Sequence, residues 1–222
     1  NKCIKTCPVN NPVELQKPIK TLAFWIKDDE EHQTSTSGGA AACFTNYILE
    51  EGGTVYGCAS LPHGVIEHIR IDKKEDAFKL KGSKYVHSHI NNTYQLIKAD
   101  LKSGKKVLFI GLPCQVAGLK RYIGKENANL FAIDLICHGV PSPEVWKDYL
   151  SEIGKEQKVI DVNFREKEDG TSATYLKYVL ENGGVVLEPK ESSLYMKGFI
   201  QNLFLRESCF EISFSLKRRC MS

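Results

Sequence analysis

Apolar and polar positions follow one another along the chain in an order that predicts mixed helices and strands. Two short apolar runs, 107–110 and 130–136, are bounded by turn residues and read as strands. Between them Val116, Leu119, Tyr122 and Ile123 recur at helical spacing. Each run ends in a turn that carries a cysteine: Gly111-Leu112-Pro113-Cys114-Gln115 and Cys137-His138-Gly139-Val140-Pro141. A strand, loop, helix, strand, loop unit sets its strand ends side by side and turns both loops towards one crevice. Two cysteines and a histidine are thus expected where open α/β sheets bind ligands.

The rest of the chain extends this order. Alternating Leu22, Phe24 and Ile26 predict a strand over 21–27, and the polar stretch 28–36 a surface loop. Phe44, Tyr47, Ile48 and Leu49 predict a helix with Ser37 as N-cap and Gly52-Gly53 as its end. Residues 54–60 and 63–72 read as a hairpin, and 90–101 as a helix. Val145, Tyr149, Leu150 and Ile153 predict an amphipathic helix entered through Ser142-Pro143. Strands follow at 159–165, 175–180 and 185–187, then a helix over 193–204. The expected fold is α/β, a mixed sheet flanked by helices, in two sub-domains.

Composition narrows the class. The chain has 222 residues, 42% hydrophobic and 26% charged, as in an ordinary globular protein. A net charge of +3 gives no argument for nucleic acid. No apolar stretch approaches the roughly 18 residues of a membrane span, and no segment reads as a signal peptide. The expected setting is cytoplasmic. Asn1 in place of methionine suggests an excerpt of a longer protein.

Eight cysteines are many, yet a chain this rich in apolar residues needs no disulfide staples. Metal, cluster or redox chemistry is the better reading. Cys3 and Cys7, followed by Pro8, match the last half of the bacterial iron–sulfur run C-x2-C-x2-C-x3-C-P, or are two unrelated thiols near a flexible end. Residues 10–20, with two prolines, read as a linker. Ser37-Gly38-Gly39 at a helix start exposes backbone amides suited to phosphate, or is a plain capped helix. The cluster Lys81-Gly82-Ser83-Lys84-Tyr85-Val86-His87-Ser88 suits a phosphate or the edge of a flavin ring, or is a solvated turn. Cys43 and Cys58 read as packing residues.

Three readings compete for Cys114: a nucleophile whose pKa the helix dipole lowers, a cluster ligand, or a small buried residue. A nucleophile wants a base, and His138 is the candidate, although a structural histidine fits the turn as well. Asp134, inside an apolar run, is expected to need partners.

Two motifs carry a resemblance. The run from Ile110 to Leu119, Ile-Gly-Leu-Pro-Cys-Gln-Val-Ala-Gly-Leu, is similar to a signature G-T-P-C-Q-x-x-G-L. The run from Asp134 to Ser142, Asp-Leu-Ile-Cys-His-Gly-Val-Pro-Ser, is similar to D-L-x-C-H-G-V-P-S. Both resemble the coenzyme F420 hydrogenase/dehydrogenase beta-subunit family, whose members are flavin and iron–sulfur oxidoreductases. The likeness extends to Ser37-Gly38-Gly39, Val55-Tyr56-Gly57 and the stretch 82–88, and so covers most of 21–209.

The resemblance implies a flavin site, with FAD the expected form, drawing on Ser37, Gly38, Gly39, Lys84, Ser88, Gly111, Pro113 and Gln115. It implies a 4Fe-4S cluster held by thiolates such as Cys114, Cys137 and Cys209. Cys3 and Cys7 would close a preceding ferredoxin-type module. The implied domains are 1–20, the remnant of that module and its linker; 21–104, a flavin-binding part; and 105–222, a flavin and cluster part that is truncated. Departures are Leu112 for threonine, Ile212 where the family has a further cysteine, with Cys220 beyond it, and the missing Asp-rich tail. The expected function is an oxidoreductase passing electrons between clusters and flavin to a small redox carrier such as F420, with a ferredoxin-type module or partner redox subunit as donor. The alternatives are a transferase or hydrolase using Cys114 as nucleophile and His138 as base, and a non-catalytic scaffold with a degenerate cluster site.

Overall fold

A computed structural model describes residues 2–11, 17–155, 157–167 and 173–211. Short helix α1 (Lys2–Thr6) holds Cys3, and Cys7 follows it directly. Residues 21–27 do not form the expected strand. They lie outside any sheet, with Leu22 and Phe24 exposed, and the backbone beside them is the loop at Gly38 and not a sheet edge. The stretch expected as a loop contains α2 (Asp29–Thr34). The Asp28 side chain caps it by accepting from the Glu31 N–H at 2.8 Å, and Asp29, Glu30 and Glu31 suit its positive end. This helix buries no residue, so hydrophobic periodicity does not reveal it.

Helix α3 (Ala40–Glu50) is capped by Gly39 in the left-handed region, φ 74°, and not by Ser37. Strands β1 (Thr54–Leu61) and β2 (Val65–Ile71) form the expected hairpin. Helix α4 (Thr93–Lys102), β3 (Val107–Gly111), α5 (Pro113–Ile123) and β4 (Leu130–Asp134) complete the first unit. Its sheet has the order β2-β1-β3-β4, with β1, β3 and β4 parallel. Strand β3 is apolar throughout because both its faces are covered. Val107 and Phe109 pack with Ile97 and Leu101 of α4 and Val116 and Leu119 of α5. Leu108 and Ile110 pack with Ile48 and Leu49 of α3.

Strand β4 lies at the edge of that sheet, and its apolar run is not buried as expected. Asp134 is exposed, so it has no buried charge to satisfy.

The second unit is antiparallel, β5 (Val159–Lys167), β6 (Ala173–Leu180) and β7 (Val185–Pro189), packed by α6 (Pro143–Ile153) and α7 (Leu194–Ile200). Helix α7 ends before the expected Phe204: Asn202 turns left-handed at φ 61°, and Leu203 N–H closes on Gly198 O at 2.9 Å. Trp146 and Phe164 lie in this core together with Ile66 and Val86 of the first unit. Trp146 Nε1 donates to Gly64 O (2.9 Å) and Tyr195 OH to Tyr85 O (2.9 Å), tying the units together. The chain then runs through α8 (Ser208–Glu211). Ile212 and Cys220 lie outside the described residues.

Candidate functional site

A cleft of about 850 Å³ opens beyond the carboxyl ends of β3 and β4. The loops after both strands reach it, as the topology requires. Ser37, Gly38, Gly39, Lys84, Ser88, Gly111 and Gln115 all line it, and so do Cys137 and His138. Pro113, Cys114 and Cys209 are not among its walls. Cys7 is not among its walls, and α1, whose sequence includes Cys3, packs against α5.

One wall is a hydrogen-bonded chain of buried polar groups. His68 Nε2 meets the Ile110 carbonyl at 3.0 Å, and His68 Nδ1 meets Ser88 Oγ at 2.9 Å. Gln115 Nε2 donates to Ser88 Oγ at 2.9 Å, and Gln115 Oε1 accepts the Leu112 N–H at 2.9 Å. A carbonyl accepts only, so Nε2 carries the proton; Nδ1 then accepts from the Ser88 hydroxyl. Every bond therefore runs in one direction, from Leu112 and Gln115 through Ser88 and His68 to Ile110. Burial holds His68 down at about 4, which keeps the ring neutral. The ring stacks on Phe109 with centroids 5.1 Å apart. Tyr94 OH donates to Gln115 O at 2.7 Å and fixes the first turn of α5 from outside. Ser88 and Gln115 thus hold the Gly111–Gln115 loop in place as well as lining the cleft.

Lys84 spends its three donors on backbone carbonyls: Cys58 O at 2.9 Å, Leu80 O at 3.2 Å and Lys81 O at 2.7 Å. Burial lowers its pKa, against the support of Cys58. Burial in turn raises the Cys58 thiol, while Lys84 and Ser88 oppose the shift. Cys58 packs against the core around Ile66, Val86 and Trp146, as expected, and also lines the cleft.

No disulfide joins Cys7, Cys43, Cys58, Cys114, Cys137 or Cys209. Burial pushes the Cys114 thiol up to about 11, and the charges of Cys137 and Cys209 add to the shift. The helix dipole therefore does not produce the low pKa that a nucleophile at this position requires. His138 Nε2 meets Phe199 O at 3.2 Å, which places its proton on Nε2, and the ring sits edge-on to Phe199. The same interaction pattern brings Cys114, Cys137 and Cys209 into one neighbourhood. Cys209 reaches it because Leu205 bridges to Pro141, Arg206 N–H donates to Val140 O (3.0 Å), and Cys209 Sγ lies 3.9 Å from the same carbonyl. Gly139 makes room: a Cβ there would stand 2.5 Å from Leu205 Cδ1. Among the described residues, no three His, Cys, Asp or Glu side chains close tightly enough to hold a single metal ion.

His68 escaped the sequence reading, although a signal for it exists. It shares the inward parity of Ile66 in an alternating strand, which marks a buried polar residue in need of partners.

The family model for the coenzyme F420 hydrogenase/dehydrogenase beta subunit, C terminus, matches residues 104–215, half of the chain. The coenzyme F420-dependent sulfite reductase of Methanocaldococcus jannaschii is 26% identical over 201 residues, which is 80% of this chain and 30% of that protein. The chain thus spans about a third of that relative's length. A chain of the F420-reducing [NiFe] hydrogenase complex from Methanosarcina barkeri has a similar fold, with a TM-score of 0.52 and 19% identity, over 83% of this chain and 62% of that one. Among the described residues no helix is long and apolar enough to cross a membrane.

Proposed function

From the premise that this chain belongs to the coenzyme F420 hydrogenase/dehydrogenase beta-subunit family, we propose that it is the flavin and iron–sulfur module of an oxidoreductase. The cleft would take FAD, and Cys114, Cys137 and Cys209 would hold a 4Fe-4S cluster behind it. The observation that carries this reading is the shared loop after β4: Cys137 and His138 line the cleft, while Cys137 also belongs to the thiol group. A cluster and a ring held on either side of one loop would be neighbours, as electron exchange requires.

The residues suit these groups. A cleft of about 850 Å³ matches a cofactor pocket. Ala40, Ala41 and Ala42 open α3 along its wall, so their amides and those of Ser37 and Gly38 would hold the diphosphate at a helix N-terminus. Thiolates around a cluster stand farther apart than those around one ion, because iron and sulfide separate them. A loose trio therefore suits a cluster better than a lone metal. The three thiols must lose protons on assembly, and mutual repulsion at Cys114 makes a cationic partner the natural relief. Bound in the cleft, a flavin supplies the exchange between one-electron and two-electron chemistry. The chain positions it, with the chain of bonds from Leu112 to Ile110 fixing the loop and Phe199 orienting His138.

Residues 1–20 would be the end of a ferredoxin-type module, with Cys3 and Cys7 ligating iron; 21–104 a flavin-binding part; and 105–222 a flavin and cluster part. The packing of α1 on α5, the helix that begins beside Cys114, favours electron entry on that side. A small redox carrier such as F420 would accept or deliver the electron pair, in a cytoplasmic setting.

The test is an anaerobic visible spectrum of the iron-reconstituted chain, with flavin and iron quantified. Flavin bands with a broad iron–sulfur shoulder are expected. Cys114→Ser and Cys209→Ser should each lose iron and keep flavin, while Cys43→Ser, within α3, keeps both. A colourless protein, or full iron in Cys114→Ser, would defeat the reading.

A further inference from the structure

The segment 21–27 borders the cleft. Residues 21–27 contribute Leu22 and Phe24 to its lining, at 70% and 45% exposure. Trp25 between Phe24 and Ile26 is turned outward, 65% exposed. Among the described residues, this backbone is tied to the body by Ile26 N–H donating to Gly38 O at 2.8 Å.

Gly38 is shaped for that contact. A Cβ on Gly38 would fall 2.1 Å from Phe24 O, so the two backbones meet where any other residue would place a side chain. A Cβ on Gly39 would come within 2.9 Å of Ile26 Cγ2, and Gly39 also needs its left-handed φ of 74°. Phe24 stacks on Phe44 of α3 with centroids 6.3 Å apart, and Phe44 is itself half exposed. The segment thus rests on a glycine seat at one point and lays apolar side chains along the opening.

We propose that residues 21–27 are a strap that closes over the ligand in the cleft, with Leu22 and Phe24 covering the ring and Gly38 as the seat. This rests on the flavin reading and adds to it two ligand-contacting residues and a structural role for Gly38. Leu22 and Phe24 keep their apolar surface partly exposed until a planar ring lies beneath them, so ring and strap bury each other. Cys137 and His138 belong to the loop after β4 and not to the strap. The strap therefore governs how long the ligand stays and leaves the thiol group untouched.

FAD dissociation is measured from the loaded chain, together with the rate at which trypsin cuts after Lys20 and Lys27, which flank the strap and are exposed. In the unaltered chain, FAD should slow cleavage at both sites. Phe24→Ser and Leu22→Ser replace exposed side chains and leave the cores intact. Each should speed FAD release roughly tenfold and abolish the protection. Gly38→Ala, which unseats the strap while keeping both apolar side chains, should do the same. Unchanged release in Phe24→Ser, or cleavage indifferent to FAD in the unaltered chain, overturns the strap while flavin binding stands. An unaltered chain that binds no FAD overturns the flavin reading and the strap with it.

Discussion

Replacing Gln115 with leucine tests whether the cleft wall is held by its own hydrogen bonds or only shaped by a ligand. Gln115 is 4% exposed, and its amide both accepts from Leu112 N–H and donates to Ser88 Oγ, each at 2.9 Å. Leucine fills a similar volume but leaves one buried donor and one buried acceptor without partners. Each such group costs about 1–3 kcal/mol, and added apolar burial recovers part of it, so a net loss of about 2–4 kcal/mol is expected. The assay is urea unfolding of the ligand-free chain. With a slope of about 1–3 kcal/mol per molar, the midpoint should fall by roughly 1 M. Ser88→Ala breaks the same chain of bonds one step further on, depriving His68 Nδ1 of its donor and Gln115 Nε2 of its acceptor. The double variant should therefore lose less than the sum of the two. An unchanged midpoint in Gln115→Leu, or strict additivity with Ser88→Ala, would refute the claim that the wall is internally tied.

Two further outcomes follow from the same geometry. His68 has a folded pKa of about 4 against an ordinary 6.5, because burial disfavours the charged ring. Its contribution, about 3 kcal/mol, is complete above pH 6.5, declines as the unfolded chain takes up a proton between 6.5 and 4, and levels off below 4. His87, also held near 4 by burial and by the charges of Arg206, His89 and His68, adds to the same decline. His68→Gln should flatten the pH profile of urea midpoints over this window, and a profile with unchanged slope would show that His68 titrates normally. Gly139→Ala places a Cβ 2.5 Å from Leu205 Cδ1 on a backbone with φ 124°. It should cost about 1–3 kcal/mol and, by displacing Cys209, remove iron while flavin remains; a variant with unaltered melting temperature and full iron would contradict the role given to that contact.

The sheet was legible wherever a residue's burial followed from its own strand. The run Val107, Leu108, Phe109, Ile110 announces a strand covered on both faces, and α3 on one side and α4 with α5 on the other supply the cover. The convergence of the two cysteine loops was equally legible, since parallel strands joined by a helix must bring their ends together. What failed depended on neighbours far along the chain. Leu22, Phe24 and Ile26 alternate like a strand, but pairing needs an edge, and the backbone opposite belongs to Gly38. Helix α2 is polar all round and stands on its cap and first-turn charges, which a search for apolar periodicity passes over. Cys114 at a helix start suggested a lowered pKa, yet burial and two neighbouring thiols outweigh the dipole.

The polar side chains of the inner wall share one property that bears on how the cleft can recognise anything. Lys84 gives its three protons to Cys58, Leu80 and Lys81 carbonyls, while Ser88, Gln115 and His68 bond in sequence to one another and to the main chain. Groups satisfied in this way are poor sources of new hydrogen bonds, because each bond to a ligand must first break one already made. Recognition then falls to what remains available: main-chain amides at the start of α3, the buried and unpartnered Ser35 hydroxyl, the charge of Lys84 acting without contact, and apolar surface from Leu22, Phe24, Ile136 and Phe199. Such a set suits a flat, largely apolar ring joined to an anionic group, and it suits a small polar metabolite badly. It also explains why both structural ties in this region, the Gln115 chain and the Gly38 seat, hold backbone in place: where main-chain amides do the recognising, the position of the loop is itself the specificity.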